Sequence, residues 1–128
     1  MREIIIPLAT VTTTGACTID ATRGILGKLY AIEYRPNDID TNVHLTITCR
    51  SVGGASKPLL FKEHPGTSNL WFYPRDLVQG VEDGKTDLTG TSGGDCSLPI
   101  IQGVPRVVLA NGGNTVRTGT VIIYWEAL

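Results

Sequence analysis

The alternation of apolar and polar residues is clearest between residues 43 and 50, whose sequence is VHLTITCR. Every odd-numbered residue in this segment is apolar, and every even-numbered residue is polar. Successive side chains of a strand point to opposite faces of a sheet. The segment therefore predicts a strand that is buried on one face and exposed on the other.

A second segment, residues 26–34, shows a similar alternation over its last five residues. Tyr30, Ile32 and Tyr34 are expected on one face, with Ala31 and Glu33 on the other. The sequence RPND follows at residues 35–38, and these residue types favour a turn. We predict a strand that ends at this turn.

Further strands are predicted where short runs rich in Val, Ile, Leu and Tyr are bounded by Gly, Pro, Asn or Asp. Four of these runs are apolar enough to be strands buried on both faces: residues 3–10, 57–62, 104–110 and 119–126. Two more strands are expected at residues 14–19 and 70–73. Eight short strands separated by turns predict an all-β, two-sheet β-sandwich of the jelly-roll type, with a single domain over residues 1–128.

The segments between these strands predict little or no helix. One short helical turn is expected at residues 74–79, because Pro74 can occupy a first helical position and Gly80 can end the turn. Residues 83–97 are polar and rich in glycine, which favours a surface loop. The sequence NGGN at residues 111–114 is typical of a hairpin turn that needs positive φ angles.

The composition supports a chain of strands and turns. There are 15 glycines and 7 prolines, together 22 of 128 residues, or about 17% against roughly 12% in an average protein. Only 18% of the residues are charged, which leaves few side chains for exposed helix faces. The length fits one domain.

The charge balance bears on the choice of partners. A net charge of −1 argues against nucleic acid and against an anionic membrane surface. The apolar runs are too short to span a bilayer, and the first seven residues carry an acid where a signal peptide needs positive charge. Cys17, Cys49 and Cys96 lack the spacing of metal ligands, and an odd number cannot all pair within one chain. We expect folding in a reducing cytoplasm and protein partners.

The segment GTSGGD at residues 90–95 resembles the nucleophile loop of chymotrypsin-like serine proteases, with Ser92 as nucleophile and His44 as base. That fold builds its cleft from two barrels, and this chain is long enough for one. Thr91 stands where an acid normally precedes the serine, and His44 lies in an alternating strand. We therefore expect no catalytic residue and no enzymatic activity.

Metal and cofactor sites are not expected either. His44 and His64 lack the spacing of zinc ligands, so we predict solvated surface side chains. Asp38 and Asp40 are too few for a calcium loop, and acidic residues in turns commonly accept hydrogen bonds from nearby backbone donors.

The most unusual local cluster is the sequence WFYP at residues 71–74. Trp71 and Tyr73 cannot both lie in the core if Phe72 does, because neighbouring strand residues point to opposite faces. The outward side chains must meet a second sheet, a covering loop, a neighbouring subunit or a ligand. Tyr124 and Trp125 pose the same question near the C-terminus.

Three parts of the chain resemble the small virion proteins of tailed bacteriophages, in particular the jelly-roll cement or decoration proteins of the capsid exterior. They are residues 66–78 (GTSNLWFYPRDLV), residues 88–95 (LTGTSGGD), and residues 106–114 (RVVLANGGN) leading into residues 121–124 (VIIY). The resemblance implies a structural protein that binds the major capsid protein from outside and reinforces contacts between capsid subunits. It also implies a homotrimer at three-fold or quasi-three-fold positions, with assembly in the host cytoplasm.

We expect such an interface to draw on aromatic and aliphatic anchors. The candidates are Ile4, Ile5, Ile6, Trp71, Phe72, Tyr73, Arg75, Tyr124 and Trp125. An alternative function is a carbohydrate-binding or host-recognition module of a phage particle, because jelly rolls also serve as lectins and exposed aromatic rings stack on sugars.

Overall fold

The computed structural model describes residues 1–10, 15–51, 53–77, 96–113 and 116–128. In these ranges the chain forms ten strands and no helix, so the all-β prediction is confirmed. The strands are β1 (Arg2–Ala9), β2 (Cys17–Asp20), β3 (Ile25–Arg35), β4 (His44–Arg50), β5 (Ser56–Glu63), β6 (Leu70–Phe72), β7 (Asp76–Leu77), β8 (Cys96–Ser97), β9 (Ile100–Ala110) and β10 (Thr118–Ala127). No segment of the described ranges forms an apolar helix of the length that crosses a bilayer.

Eight of the strands form one antiparallel sheet. Its order is β1-β10-β3-β9-β4-β5, with β2 paired to β9 and β6 paired to β3. Within the described residues, the remaining strands, β7 and β8, pair only with each other. The prediction of a helical turn at residues 74–79 is wrong for the part that the structure describes, because Asp76 and Leu77 are extended and pair with β8.

Strand β9 changes neighbours at Gly103. Residues 100–103 pair with β3, whereas residues 104–110 pair with β4 on one side and, over four residues, with β2 on the other. Gly103 has a φ of 126°, and a Cβ atom there would collide with the carbonyl oxygen of Arg50. Only glycine tolerates both conditions, so this residue permits the change of neighbours.

The buried residues follow the predicted alternation in β4. Val43, Leu45 and Ile47 are fully buried, and Cys49 is nearly so. The expectation that β1 and β5 are buried on both faces is wrong. In β1 only the even-numbered apolar residues face the core, and in β5 only Leu59 is buried, since no described segment covers the outer faces of these strands.

A β-bulge corrects the prediction for β3. The register with β10 passes from Tyr124 opposite Ala31 to Trp125 opposite Leu29, so Tyr30 has no partner residue on β10. An unpaired extra residue of this kind reverses the alternation on either side of it. Tyr30 is therefore 43% exposed, whereas Ile32 and Tyr34, predicted on its face, are buried in the core.

The prediction for the connection after β9 is confirmed only for its backbone angles. Asn111 and Gly113 have the expected positive φ angles, 62° and 86°. The expected hairpin is wrong, however, because β10 pairs with β1 and β3 and not with β9. Residue 114 and residues 83–95 of the surface loop predicted at residues 83–97 lie outside the described residues. The last two residues of that predicted loop, Cys96 and Ser97, form strand β8.

Candidate functional site

The outer face of β1, β10, β3 and β6 carries exposed apolar side chains on its outer strands, Ile5 on β1 and Trp71 on β6, with the buried Ile122 and Glu33 between them. Across these strands, Trp71 lies opposite Glu33, Glu33 opposite Ile122, and Ile122 opposite Ile5. Tyr73 follows β6, two residues after Trp71. The exposed fractions are 48% for Trp71, 58% for Tyr73 and 59% for Ile5. We call Trp71, Tyr73 and the half-buried Tyr124 of β10 the aromatic face.

The three rings of the aromatic face are nearly parallel. The ring centroids of Trp71 and Tyr124 are 5.1 Å apart with an angle of 23° between the planes. Those of Trp71 and Tyr73 are 6.5 Å apart with an angle of 14°. Parallel rings as close as the first pair overlap face to face with an offset, a favoured aromatic geometry. Trp71 and Tyr124 therefore use one ring face each to contact the other.

Glu33 supports the aromatic face from beneath. Its carboxylate accepts hydrogen bonds from Arg35 Nε at 2.9 Å and Arg35 Nη2 at 3.0 Å, and from the Tyr124 hydroxyl at 3.0 Å. The hydrogen bonds from Arg35 hold the pKa of Glu33 below its ordinary value, against the effect of burial. Burial, followed by the bond to Glu33, raises the pKa of Tyr124. Because Glu33 is only 4% exposed, this network fixes the Tyr124 side chain in place.

A cation lies beside the aromatic face. Arg75 donates from Nη1 to the carbonyl oxygens of Tyr30 at 3.1 Å and Pro74 at 2.6 Å. Its guanidinium carbon is 6.0 Å from the centroid of the Tyr30 ring, at the limit of a cation–π contact. The bulge that turns Tyr30 outward therefore adds a fourth aromatic side chain, and with it the positive charge of Arg75, to this region.

The remaining interface candidates occupy the other side of the sheet. Ile4, Ile6 and Trp125 are buried in the core, at 5%, 1% and 4% exposure, and Phe72 packs against it. Trp71 and Tyr73 point outward from either side of Phe72, which confirms the alternation predicted for residues 71–73. Of the nine predicted residues, the structure thus brings Ile5, Trp71, Tyr73, Arg75 and Tyr124 to the surface.

The outer face of β2, β9 and β4 is different in character. Arg106 donates to both carboxylate oxygens of Asp20, at 2.6 and 3.1 Å, and Arg50 lies 3.9 Å from the same carboxylate. The hydrogen bond from Arg106 lowers the pKa of Asp20. Next to this network, strand β5 exposes one large aromatic side chain, Phe61, at 61%.

The structure brings together two histidines that the sequence predicted to be solvated surface side chains without the spacing of metal ligands. The rings of His44 and His64 lie 5.3 Å apart at 85°, because β4 pairs with β5 and places His44 opposite Glu63. This contact could be predicted only from the register between β4 and β5. Among the described residues there is no cluster of three or more possible metal ligands. The segment around Ser92 lies outside the described residues.

The acidic turn residues accept hydrogen bonds from backbone N–H groups. Asp38 Oδ1 accepts a hydrogen bond from the backbone N–H of Thr118, and Asp40 Oδ1 accepts one from that of Asn42, both at 2.8 Å. The contact of Asp40 confirms the predicted bonding of a turn carboxylate to a nearby backbone donor. Asp38 instead bonds to a residue 80 positions away along the chain.

No protein-family model matches this chain, and comparison with curated proteins and with solved structures finds no significant match. The site is therefore interpreted from its geometry and from the sequence.

Proposed function

We propose that this protein is a non-enzymatic structural protein of a tailed-bacteriophage particle, which binds the outer surface of the capsid and reinforces contacts between capsid subunits. The observation that supports a binding role is the aromatic face. Exposed Trp and Tyr side chains held by a rigid support are typical of the residues that contribute most to protein interfaces. The phage assignment is supported by the sequence resemblance.

The fixed geometry of this surface favours tight binding. Ordering a mobile side chain at an interface costs roughly 0.5–1.5 kcal/mol. Tyr124 is already held by Glu33 and by stacking on Trp71, so less of this cost remains for the complex. The neighbouring Arg75 and the exposed Ile5 extend the surface in two directions, as an interface of more than about 1,000 Å² requires.

We further propose that the sheet is folded into two layers in the manner of a jelly roll. One hydrophobic cluster takes buried side chains from β1, β3 and β10 and also from β4, β5 and β9. A sheet whose strands all bury the same face in one cluster must curve until its two halves oppose each other. Gly103 lies at the point where β9 passes from one set of neighbours to the other.

A carbohydrate-binding role is the second candidate, since Tyr73 is 58% exposed. Sugars stack on the open faces of aromatic rings, and the mutual stacking of Trp71 and Tyr124 removes one face from each ring. This geometry favours the protein partner. A shift in tryptophan fluorescence on adding glycans, with no binding to capsids, would support the carbohydrate function instead.

The test begins with the genes beside the one encoding this protein. We expect a major capsid protein among them, and we expect this protein to sediment with capsids assembled from it. Size-exclusion chromatography with light scattering should give the mass of a trimer. A monomer that does not sediment with these capsids would refute the proposal.

A further inference from the structure

His44 and His64 form a pair of imidazole rings on β4 and at the end of β5, on a different part of the sheet from the aromatic face. Their ring centroids are 5.3 Å apart, with an angle of 85° between the planes. His44 is half-buried and His64 is exposed, so solvent reaches both rings. We call these two residues the histidine pair.

The backbone brings the two side chains of the histidine pair together. The N–H of His64 donates to the carbonyl oxygen of Val43 at 3.1 Å, which extends the β4–β5 ladder one residue beyond Glu63. In a regular ladder, His64 would point into the core as Val43 does. His64 has a positive φ of 52°, however, and its ring lies against that of His44.

The ring nitrogens of the histidine pair are available as ligands. No residue in the described part of the chain forms a hydrogen bond or an ion pair with either imidazole. The neighbouring ring is that of Phe61, whose centroid is 6.5 Å from that of His44 and which has no ligand atom. A neutral imidazole has one nitrogen with a free lone pair. The pair therefore offers two nitrogen ligands.

The distance between the rings fits two ligands of one metal ion. Metal–nitrogen bonds of histidine are about 2.0–2.1 Å long, so two imidazoles on one tetrahedral ion have ring centres roughly 5 Å apart. The observed separation of 5.3 Å agrees with this value. Rotation about χ2 of histidine is broad, so each ring can turn a nitrogen towards a shared ion without movement of the backbone.

We propose that His44 and His64 together bind one first-row divalent transition-metal ion, of the class of Ni²⁺, Cu²⁺ and Zn²⁺. Imidazole is a preferred ligand of these ions, whereas Mg²⁺ and Ca²⁺ prefer oxygen. Because the described residues contain no group of three or more possible ligands, water fills the remaining coordination positions. The ion is therefore exchangeable and is not required for folding.

Two substitutions remove one ligand each. Asparagine tolerates a positive φ, so His64→Asn keeps the backbone of the turn and removes the imidazole. His44→Phe keeps an aromatic ring beside His64 and removes the nitrogen. Phe61→Ala is the matched control, because it removes the neighbouring ring and keeps both histidines. Trp71→Ala tests independence from the aromatic face.

The probe is Ni²⁺ alone, titrated at neutral pH into the untagged, ¹⁵N-labelled protein and followed by NMR. Resonances near this paramagnetic ion broaden first, and we expect them to be those around His44 and His64. Wild type, Phe61→Ala and Trp71→Ala should each bind one ion per chain, with affinities within about threefold of one another.

His64→Asn and His44→Phe should each bind Ni²⁺ at least about tenfold more weakly than wild type, because the second imidazole binds an ion that the first already holds nearby. Without metal, His64→Asn should melt within about 3 °C of wild type, as a surface substitution does. This comparison separates the loss of a ligand from a loss of fold.

Three results would overturn the proposal. The first is no binding of Ni²⁺ by wild type at millimolar concentration. The second is an affinity of either histidine variant equal to that of wild type. The third is first broadening around Met1 or a cysteine, which would assign the ion to another group. None of these depends on whether the protein binds capsids.

Discussion

The Glu33→Gln substitution tests the support beneath the aromatic face. A hydrogen bond to a charged group contributes about 1.5–3 kcal/mol to stability. Glutamine keeps one oxygen acceptor for Tyr124 and loses the negative charge that faces Arg35. The Arg35 side chain is 50% exposed, so solvent screens its interaction with Glu33. We therefore expect a loss of about 1 kcal/mol at pH 7, or roughly 4 °C in Tm.

The effect of Glu33→Gln should depend on pH in a defined direction. The pKa of Glu33 is lowered from its ordinary value of 4.5, so the carboxylate stabilises the fold above that pH. This contribution is lost as the pH falls through the lower pKa of the folded state. The difference between wild type and Glu33→Gln should therefore shrink towards zero in acid.

The assay is urea unfolding of both proteins at several pH values between 7 and 3. Glu63→Gln is the control, because Glu63 is exposed on β5 and its loss should change stability by less than about 0.5 kcal/mol. A difference between wild type and Glu33→Gln that is the same at pH 3 and pH 7 would refute the charged support. So would the absence of any difference at pH 7.

Two further substitutions test the core and the bend in β9. Tyr34→Phe should leave stability unchanged or raise it by up to about 1 kcal/mol, because the buried Tyr34 hydroxyl has no partner among the described residues. A loss of stability in thermal unfolding would indicate that the hydroxyl is bonded. Burial also raises the pKa of Tyr34 to about 12, so wild type should lose stability relative to Tyr34→Phe between pH 10 and 12. Gly103→Ala should lower the free energy of unfolding in urea by at least about 3 kcal/mol, because of the positive φ at this position and the collision of a Cβ atom with Arg50. Gly53→Ala is the control and should be nearly neutral, because the space around Gly53 is open. Equal effects of the two substitutions would contradict the role of Gly103.

Local pattern was sufficient to predict most strands. The alternation in residues 43–50 depends only on which face is buried, and the structure buries that face. The same rule predicted that Phe72 faces away from Trp71 and Tyr73, and the structure shows Phe72 as the residue packed against the core. Those predictions succeeded because a strand's two faces are set by its own sequence.

The features that were not predicted depend on pairing between strands that are far apart in the sequence. Tyr30 faces outward because of a register shift against β10, whose sequence lies far along the chain. Glu33 was predicted on the face opposite Ile32 but not as a buried carboxylate. Its surroundings come from distant parts of the chain: Trp71 on β6 lies opposite it, and the Tyr124 hydroxyl, 91 positions away, donates to it. Burial of this kind depends on which strands become neighbours, and a single strand's pattern does not contain that information.

The most direct test of the central claim compares two exposed aromatic residues on opposite parts of the sheet. Trp71 belongs to the aromatic face, and Phe61 is exposed beside the polar face of β4 and β9. If the aromatic face binds the capsid, Trp71→Ala should weaken co-sedimentation with capsids at least about 30-fold, the effect of losing an anchor worth about 2 kcal/mol. Phe61→Ala should change it less than about threefold. Equal binding by wild type and a folded Trp71→Ala protein would contradict the account.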